Sequence, residues 1–218
     1  MMYPTVTVID NFFKDPDSIV EIANNLEFYP NSDGAWPGRR TKLLHEVEPE
    51  FFEFFGQKLH SIFHENIPSY WAISCSFQKV MPFHEDPYNP KNCGWIHNDD
   101  SNFGGVIYLT RNPEPDTGTS IYQEKKGFSL QTSEMMNAKR DLYLNKGDIT
   151  EDEYIKQYTK VNEQYEETIC ISNVYNRLIL FDKGSHHGVR TFGTKERLTL
   201  AFFSHHIGTD IYPMCRKY

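Results

Sequence analysis

Trp95-Ile96-His97-Asn98-Asp99-Asp100, answered ninety residues later by Ser185-His186-His187-Gly188-Val189, is the pair of stretches from which the rest of the chain is read. Residues two apart on an extended strand point to the same face. His97 and Asp99 therefore offer an imidazole and a carboxylate to one ion, while a later strand supplies a second imidazole. Two histidines and a carboxylate form a facial set that holds a metal ion on one side and leaves its other positions open. His186 and His187 are adjacent and face opposite ways on a strand, so only one of them joins the ion. His84-x-Asp86 repeats the motif, but it sits among Pro82, Pro87 and Pro90 with no strand following it, and it ranks below His97-x-Asp99. His60 and His64 share a helix face without a nearby acid, and His205-His206 is expected as an exposed pair beyond the last strand.

From the second histidine the chain turns and re-enters an alternating strand at Arg197-Leu198-Thr199-Leu200-Ala201-Phe202-Phe203. Arg197 and Thr199 share a face there, and a guanidinium fork suits bidentate capture of a carboxylate. With this piece in place the chain resembles the 2-oxoglutarate- and iron-dependent oxygenases, nearest their prolyl 4-hydroxylase-like branch. The matching pieces are His97-x-Asp99, Val106-Ile107-Tyr108-Leu109-Thr110, Gly118-Thr119-Ser120-Ile121-Tyr122, Asn176-Arg177-Leu178-Ile179-Leu180-Phe181-Asp182, His187-x-Val189 and Arg197-x-Thr199. They follow the family's order and cover roughly residues 95 to 204.

The resemblance implies a mainly β fold, a double-stranded β-helix (jelly roll, cupin-like) of eight core strands with flanking helices. It implies that His97, Asp99 and His187 hold Fe(II), the His-x-Val pattern and the ten-residue step to Arg197 selecting His187 over His186. It also implies that Arg197 and Thr199, with the hydroxyl of Tyr108, hold the cosubstrate 2-oxoglutarate. O2 is then the oxidant, ascorbate an auxiliary reductant, and the reaction is hydroxylation of a peptide or small-molecule substrate, a peptidyl proline being one option. Two rivals remain: a cupin-like metal site that does not use 2-oxoglutarate, leaving Arg197 an ordinary salt-bridge partner, and a noncatalytic jelly-roll binding protein.

At 218 residues the chain is expected to be a single oxygenase domain, with 1–69 as helical support, 70–204 as the jelly-roll core and 205–218 as a tail. Sixteen Phe and thirteen Tyr suit sheets packed through large side chains. A net charge of -8 argues against a nonspecific duplex nucleic-acid binder. Cys75, Cys93, Cys170 and Cys215 form no Cys-x-x-Cys pair, no secretory leader precedes them, and no apolar run is long enough to span a bilayer, so a cytoplasmic protein with reduced thiols is expected.

Local signals place the remaining elements. Residues 4–13 alternate as a strand, and Asp15-Pro16 caps a helix whose apolar face runs through Ile19, Ile22, Ala23 and Leu26. A second helix starts at Pro49, and Tyr70 to Val80 read as a half-buried strand. In the loop before that helix, Arg39 or Arg40 is a candidate anion holder. Residues 112–118 look like a hairpin connection. The polar stretch of about 123–167 departs from the family's pattern, with a capped helix start at Thr150. It is expected to cover the mouth of the site as a mobile lid, a homodimer contact being its alternative role.

Overall fold

The computed structural model describes residues 6–62 and 70–207. Residues 4 and 5 of the first strand reading, His64, Cys215 and the rest of the tail beyond 207 lie outside the described residues.

The chain opens with β1 (Val6–Ile9) and α1 (Pro16–Asn25), where Asp15 accepts from the Ser18 N–H and Pro16 opens the helix, as the sequence predicts. Short strands β2 (Tyr29–Pro30) and β3 (Arg39–Arg40) and a one-turn helix α2 (Leu44–Val47) lead to α3 (Pro49–Ser61). Phe51, Phe55 and Leu59 of α3 are buried, and the Phe51 ring stacks on Phe77 at 5.9 Å. This helical layer covers one face of the large sheet.

That sheet has seven strands in the order β1-β8-β5-β10-β4-β3-β2, where β4 is Trp71–Val80, β5 Phe103–Tyr108, β8 Leu178–Asp182 and β10 Arg197–Ile207. A second sheet runs β7-β6-β9, with β6 Thr119–Glu124, β7 Tyr165–Ile171 and β9 His186–Val189. The stretch through His97 pairs with His187 at the open side of β9. Counting that stretch, β4 to β10 supply eight core segments, four in each sheet, facing one another as a jelly roll. Leu178, Ile179, Leu180 and Phe181 are all buried, as a continuous apolar run between two neighbouring strands requires.

Four details differ from the sequence reading. Residues 112–118 form no hairpin, because β5 and β6 belong to different sheets and the connection crosses between them. β5 begins at Phe103, three residues before the Val106-Ile107-Tyr108-Leu109-Thr110 piece, and ends at Tyr108. Glycine is needed there because a Cβ on Gly105 would meet the Ile179 carbonyl at 2.1 Å and the Phe202 ring at 2.7 Å. β4 is buried on both faces from Cys75 to Gln78, since its second face looks into a cavity instead of solvent. His205 and His206 lie within β10, the former bonded to Ser74 at 2.8 Å and the latter packed on Tyr70.

The insertion forms two helices, α4 (Ser133–Leu144) and α5 (Glu151–Asn162), and only the second is foreseen from the sequence. Together they bury Met135, Ala138, Tyr143, Tyr154 and Val161 against Trp95, which is fully buried and donates from its Nε1 to the Tyr154 hydroxyl at 2.8 Å. The segment thus has its own core and is pinned to the metal-motif stretch through Trp95 and Tyr154.

Candidate functional site

His97 and His187 face each other across an antiparallel bridge: His97 N–H donates to the His187 carbonyl at 3.0 Å, and His187 N–H to the His97 carbonyl at 2.8 Å. Each ring uses Nδ1 on the carbonyl two residues before it, His97 on Trp95 at 2.8 Å and His187 on Ser185 at 2.9 Å. A carbonyl only accepts, so Nδ1 carries the proton in both rings and Nε2 presents its lone pair. Both Nε2 atoms face Asp99, 3.7 Å from its Oδ1 for His97 and 3.4 Å from its Oδ2 for His187. One ligand atom from each of the three lies within 4.8 Å of the others, and among the described residues no other group of three does so. Gly104 lies beside the carboxylate, where a Cβ would stand at ordinary contact distance, 3.4 Å, from Asp99 Oδ2.

Burial is the main force on the rings. It holds His97 well below the ordinary histidine range, with the neighbouring His187 acting in the same direction. It lowers His187 as well, against the pull of Asp99. Neutral imidazoles with free Nε2 lone pairs are the form that binds metal. Two such lone pairs and a carboxylate are three acceptors converging with no donor among them, and a divalent cation satisfies all three. The donor set of nitrogen and oxygen with no thiolate suits Fe(II). His186 points the other way, against Tyr165 and Glu124, and His84 bonds the Asp86 N–H in its own loop.

The triad forms one wall of a cavity of about 240 Å³ between the sheets. Arg197 and Thr199 line it from β10 and are buried. The Arg197 guanidinium sits 5.4 Å over the Tyr108 ring, and its Nε has no hydrogen-bond partner. Burial lowers its pKa, opposed only by Tyr108, with no carboxylate contributing. Tyr108 itself lies behind the cavity wall: its hydroxyl donates to Thr119 Oγ1 at 2.9 Å, and Thr119 is the residue that lines the space.

Three further lining residues are not singled out by the sequence reading. Thr119 shares a face of β6 with Ile121, which stands opposite His187, so the period of two could have found it. Gln78 stands opposite both Arg40 and Thr199 in the large sheet. Lys139, on α4, comes from the helix that the sequence leaves unread. Of the two candidate arginines, Arg40 enters the cavity and Arg39 is exposed.

Residues 3–193 match the model of a family described as a family of unknown function (DUF6445). The chain belongs to this family. No curated protein matches it. Among solved structures the DUF6445 chain is similar to HygX from Streptomyces hygroscopicus with nickel, 2-oxoglutarate and hygromycin B bound, at 13% identity and a TM-score of 0.56, over 93% of this chain and 83% of that one. It is also similar to a Burkholderia pseudomallei oxidoreductase of the 2OG-Fe(II) oxygenase family, at 15% identity and a TM-score of 0.52, over 94% of this chain and 87% of that one. At these identities the likeness is one of fold, and the jelly-roll architecture expected from the sequence is the one observed.

Proposed function

We propose that this DUF6445 chain is a single-domain 2-oxoglutarate- and Fe(II)-dependent oxygenase that hydroxylates a small molecule or peptide. The observation that carries the reading is the convergence of His97 Nε2, Asp99 and His187 Nε2 on the wall of a cavity that also holds a buried arginine without a carboxylate. HygX, solved with nickel and 2-oxoglutarate bound, shares the fold. The cupin-like rival, which makes Arg197 a salt-bridge partner, calls for a carboxylate beside it, and no carboxylate contributes to its charge state.

His97, Asp99 and His187 would hold the iron. Bound iron and 2-oxoglutarate supply the oxidising chemistry with O2. The chain's share is placement. The Trp95 and Ser185 carbonyls fix both imidazole tautomers and ring orientations, as outer-shell partners of metal-binding histidines do. Arg197 offers its fork to the far carboxylate of 2-oxoglutarate, with the Thr199 hydroxyl on the same face and Tyr108 beneath the guanidinium, its hydroxyl held by Thr119. Phe181, Val189 and Phe192 line the same space and keep it poor in water.

The test is anaerobic binding followed by turnover. Fe(II) should bind at one per chain, 2-oxoglutarate should bind only the metal-loaded protein, and admission of O2 should release succinate and CO2. Metal binding without 2-oxoglutarate binding would move the chain to the cupin-like class.

A further inference from the structure

Three cations and one carboxylate line the cavity: Arg40, Lys139 and Arg197 against Asp99. On the oxygenase reading a divalent metal and a dianionic cosubstrate cancel each other, and Arg197 is assigned to the cosubstrate. Two cations, the half-buried Arg40 and the buried Lys139, are then left without an ion-paired anion among the described residues. They arrive from different elements, β3 and α4, and line the same cavity. The Arg40 guanidinium stacks 4.4 Å over Trp36 and 5.7 Å from Phe203, and donates one hydrogen bond to Gln78 Oε1 at 3.2 Å, while its buried Nε has no partner. Lys139 is only 7% exposed and lies 5.9 Å from the Tyr143 ring.

The negative groups near them are few. Asp99, the nearer, belongs to the metal set, and Asp33 is an exposed loop residue whose carboxylate caps the Ala35 N–H. Neither makes an ion pair with Arg40 or Lys139. Burial lowers the pKa of both cations, that of Arg40 to about 10. Unpaired buried charges are costly, and a fold retains them where a ligand supplies the counter-charge.

We propose that Arg40 and Lys139 form a substrate subsite for an anionic group, a carboxylate or a phosphate, so that the molecule oxidised in this cavity is an acid. Arg40 supplies a planar fork held flat by Trp36 and Gln78, and Lys139 a point charge from the insertion. The 123–167 segment therefore contributes to recognition directly, and its helix α4 is what distinguishes this pocket from a bare jelly-roll mouth.

The proposal rests on the oxygenase reading for the cosubstrate's share of the charge, and the test separates the two. The full chain loaded with Mn(II) and 2-oxoglutarate is titrated calorimetrically at constant ionic strength with N-acetylglycine, with sulfate as a stand-in for a phosphate group, and with neutral N-acetylglycinamide. At least one anion should bind roughly tenfold or more tightly than the neutral amide. R40Q and K139M should each weaken that binding by about tenfold, with R40K intermediate, while 2-oxoglutarate affinity changes by less than about threefold. N-acetylglycine as the better ligand points to an acyl acid and sulfate to a phosphate ester. Because the two substitutions lie on separate elements, a shared loss does not arise from local misfolding of either. Equal binding of anion and amide overturns the proposal, as does a loss of 2-oxoglutarate affinity in R40Q and K139M as large as in R197A. If 2-oxoglutarate fails to bind the parent protein, the oxygenase reading falls, and the same anion titration on the Mn(II) protein still decides whether Arg40 and Lys139 hold an anion.

Discussion

The histidine pair and the buried cations occupy one cavity and are both polar groups taken out of water, yet they are satisfied in opposite ways. The histidines are served by the fold: each Nδ1 has a backbone carbonyl, and the only unserved atoms are the two Nε2 lone pairs that meet Asp99. Arg40, Lys139 and Arg197 meet aromatic faces and a single amide, and among the described residues no carboxylate forms an ion pair with them. The first group is prearranged for a metal ion, and the second is a set of charges waiting for anions. The contrast locates function more sharply than either group alone, because a folded chain gains nothing in stability from unpaired cations at its centre.

The largest effect expected from breaking this contrast is on the metal side. H97A and H187A should each abolish stoichiometric Fe(II) binding measured by anaerobic titration, whereas H186A and H84A should leave it nearly intact, since those rings face Tyr165 and the Asp86 N–H. Equal metal loss in H186A would sink the assignment of His187. On the cation side, R197A should raise the 2-oxoglutarate dissociation constant by tens to thousands of fold, corresponding to roughly 2 to 5 kcal/mol for one member of a desolvated charge pair. R197K, which keeps the charge and loses the fork, should fall between. Fe(II) affinity should hardly move in either variant, and unchanged 2-oxoglutarate binding in R197A would remove Arg197 from the cosubstrate site.

The two sides also differ in how legible they are from the sequence. His97, Asp99, His187, Arg197 and Thr199 all sit where a period-of-two reading puts them, because residues on short paired strands project by parity and the pairing is local to two or three strands. The buried run from Leu178 to Phe181 is legible for the same reason. Asp99 departs slightly: only His97 of the motif is bridged to β9, and the carboxylate reaches the site from irregular backbone just beyond it. Lys139 is illegible because a lysine on a helix reads as solvent-facing, and the inward face it shares with Met135, Ala138 and Tyr143 is recognisable only once Trp95 is known to lie beneath α4. Arg40 and Arg39 cannot be told apart until β3 pairs with β4 and fixes which one points at Gln78. Tyr108 lies under Arg197, and its hydroxyl donates to Thr119, a partner that the sequence does not announce.

A smaller expected effect probes the seam between the metal motif and the insertion. Y154F removes the acceptor for the Trp95 indole N–H while keeping the ring, which leaves a buried donor unpaired. The cost should be about 1 to 3 kcal/mol in chemical denaturation. Trp95 also supplies the carbonyl that holds His97 Nδ1, so metal affinity should fall modestly in the same variant. A full loss of stability with metal affinity untouched would uncouple the insertion from the site.

The smallest effect tests whether the insertion matters to the cavity through its packing or through Lys139 alone. Thr150 caps α5, accepting from the Glu153 N–H at 3.3 Å, and it does not line the cavity. Replacing a threonine cap by alanine costs about 1 kcal/mol, so T150A should lower the denaturation midpoint slightly. Hydrogen exchange should speed up along α5 first, because a lost cap frays the end of its own helix before it disturbs a neighbour. Binding of N-acetylglycine or sulfate at the Arg40 and Lys139 subsite should stay within about twofold of the parent, since α4 keeps its own cap at Thr132 and its own buried face. If T150A weakened anion binding as much as K139M does, α4 and α5 would act as one cooperative unit. Recognition would then depend on the whole insertion holding its shape, rather than on one lysine placed by one helix.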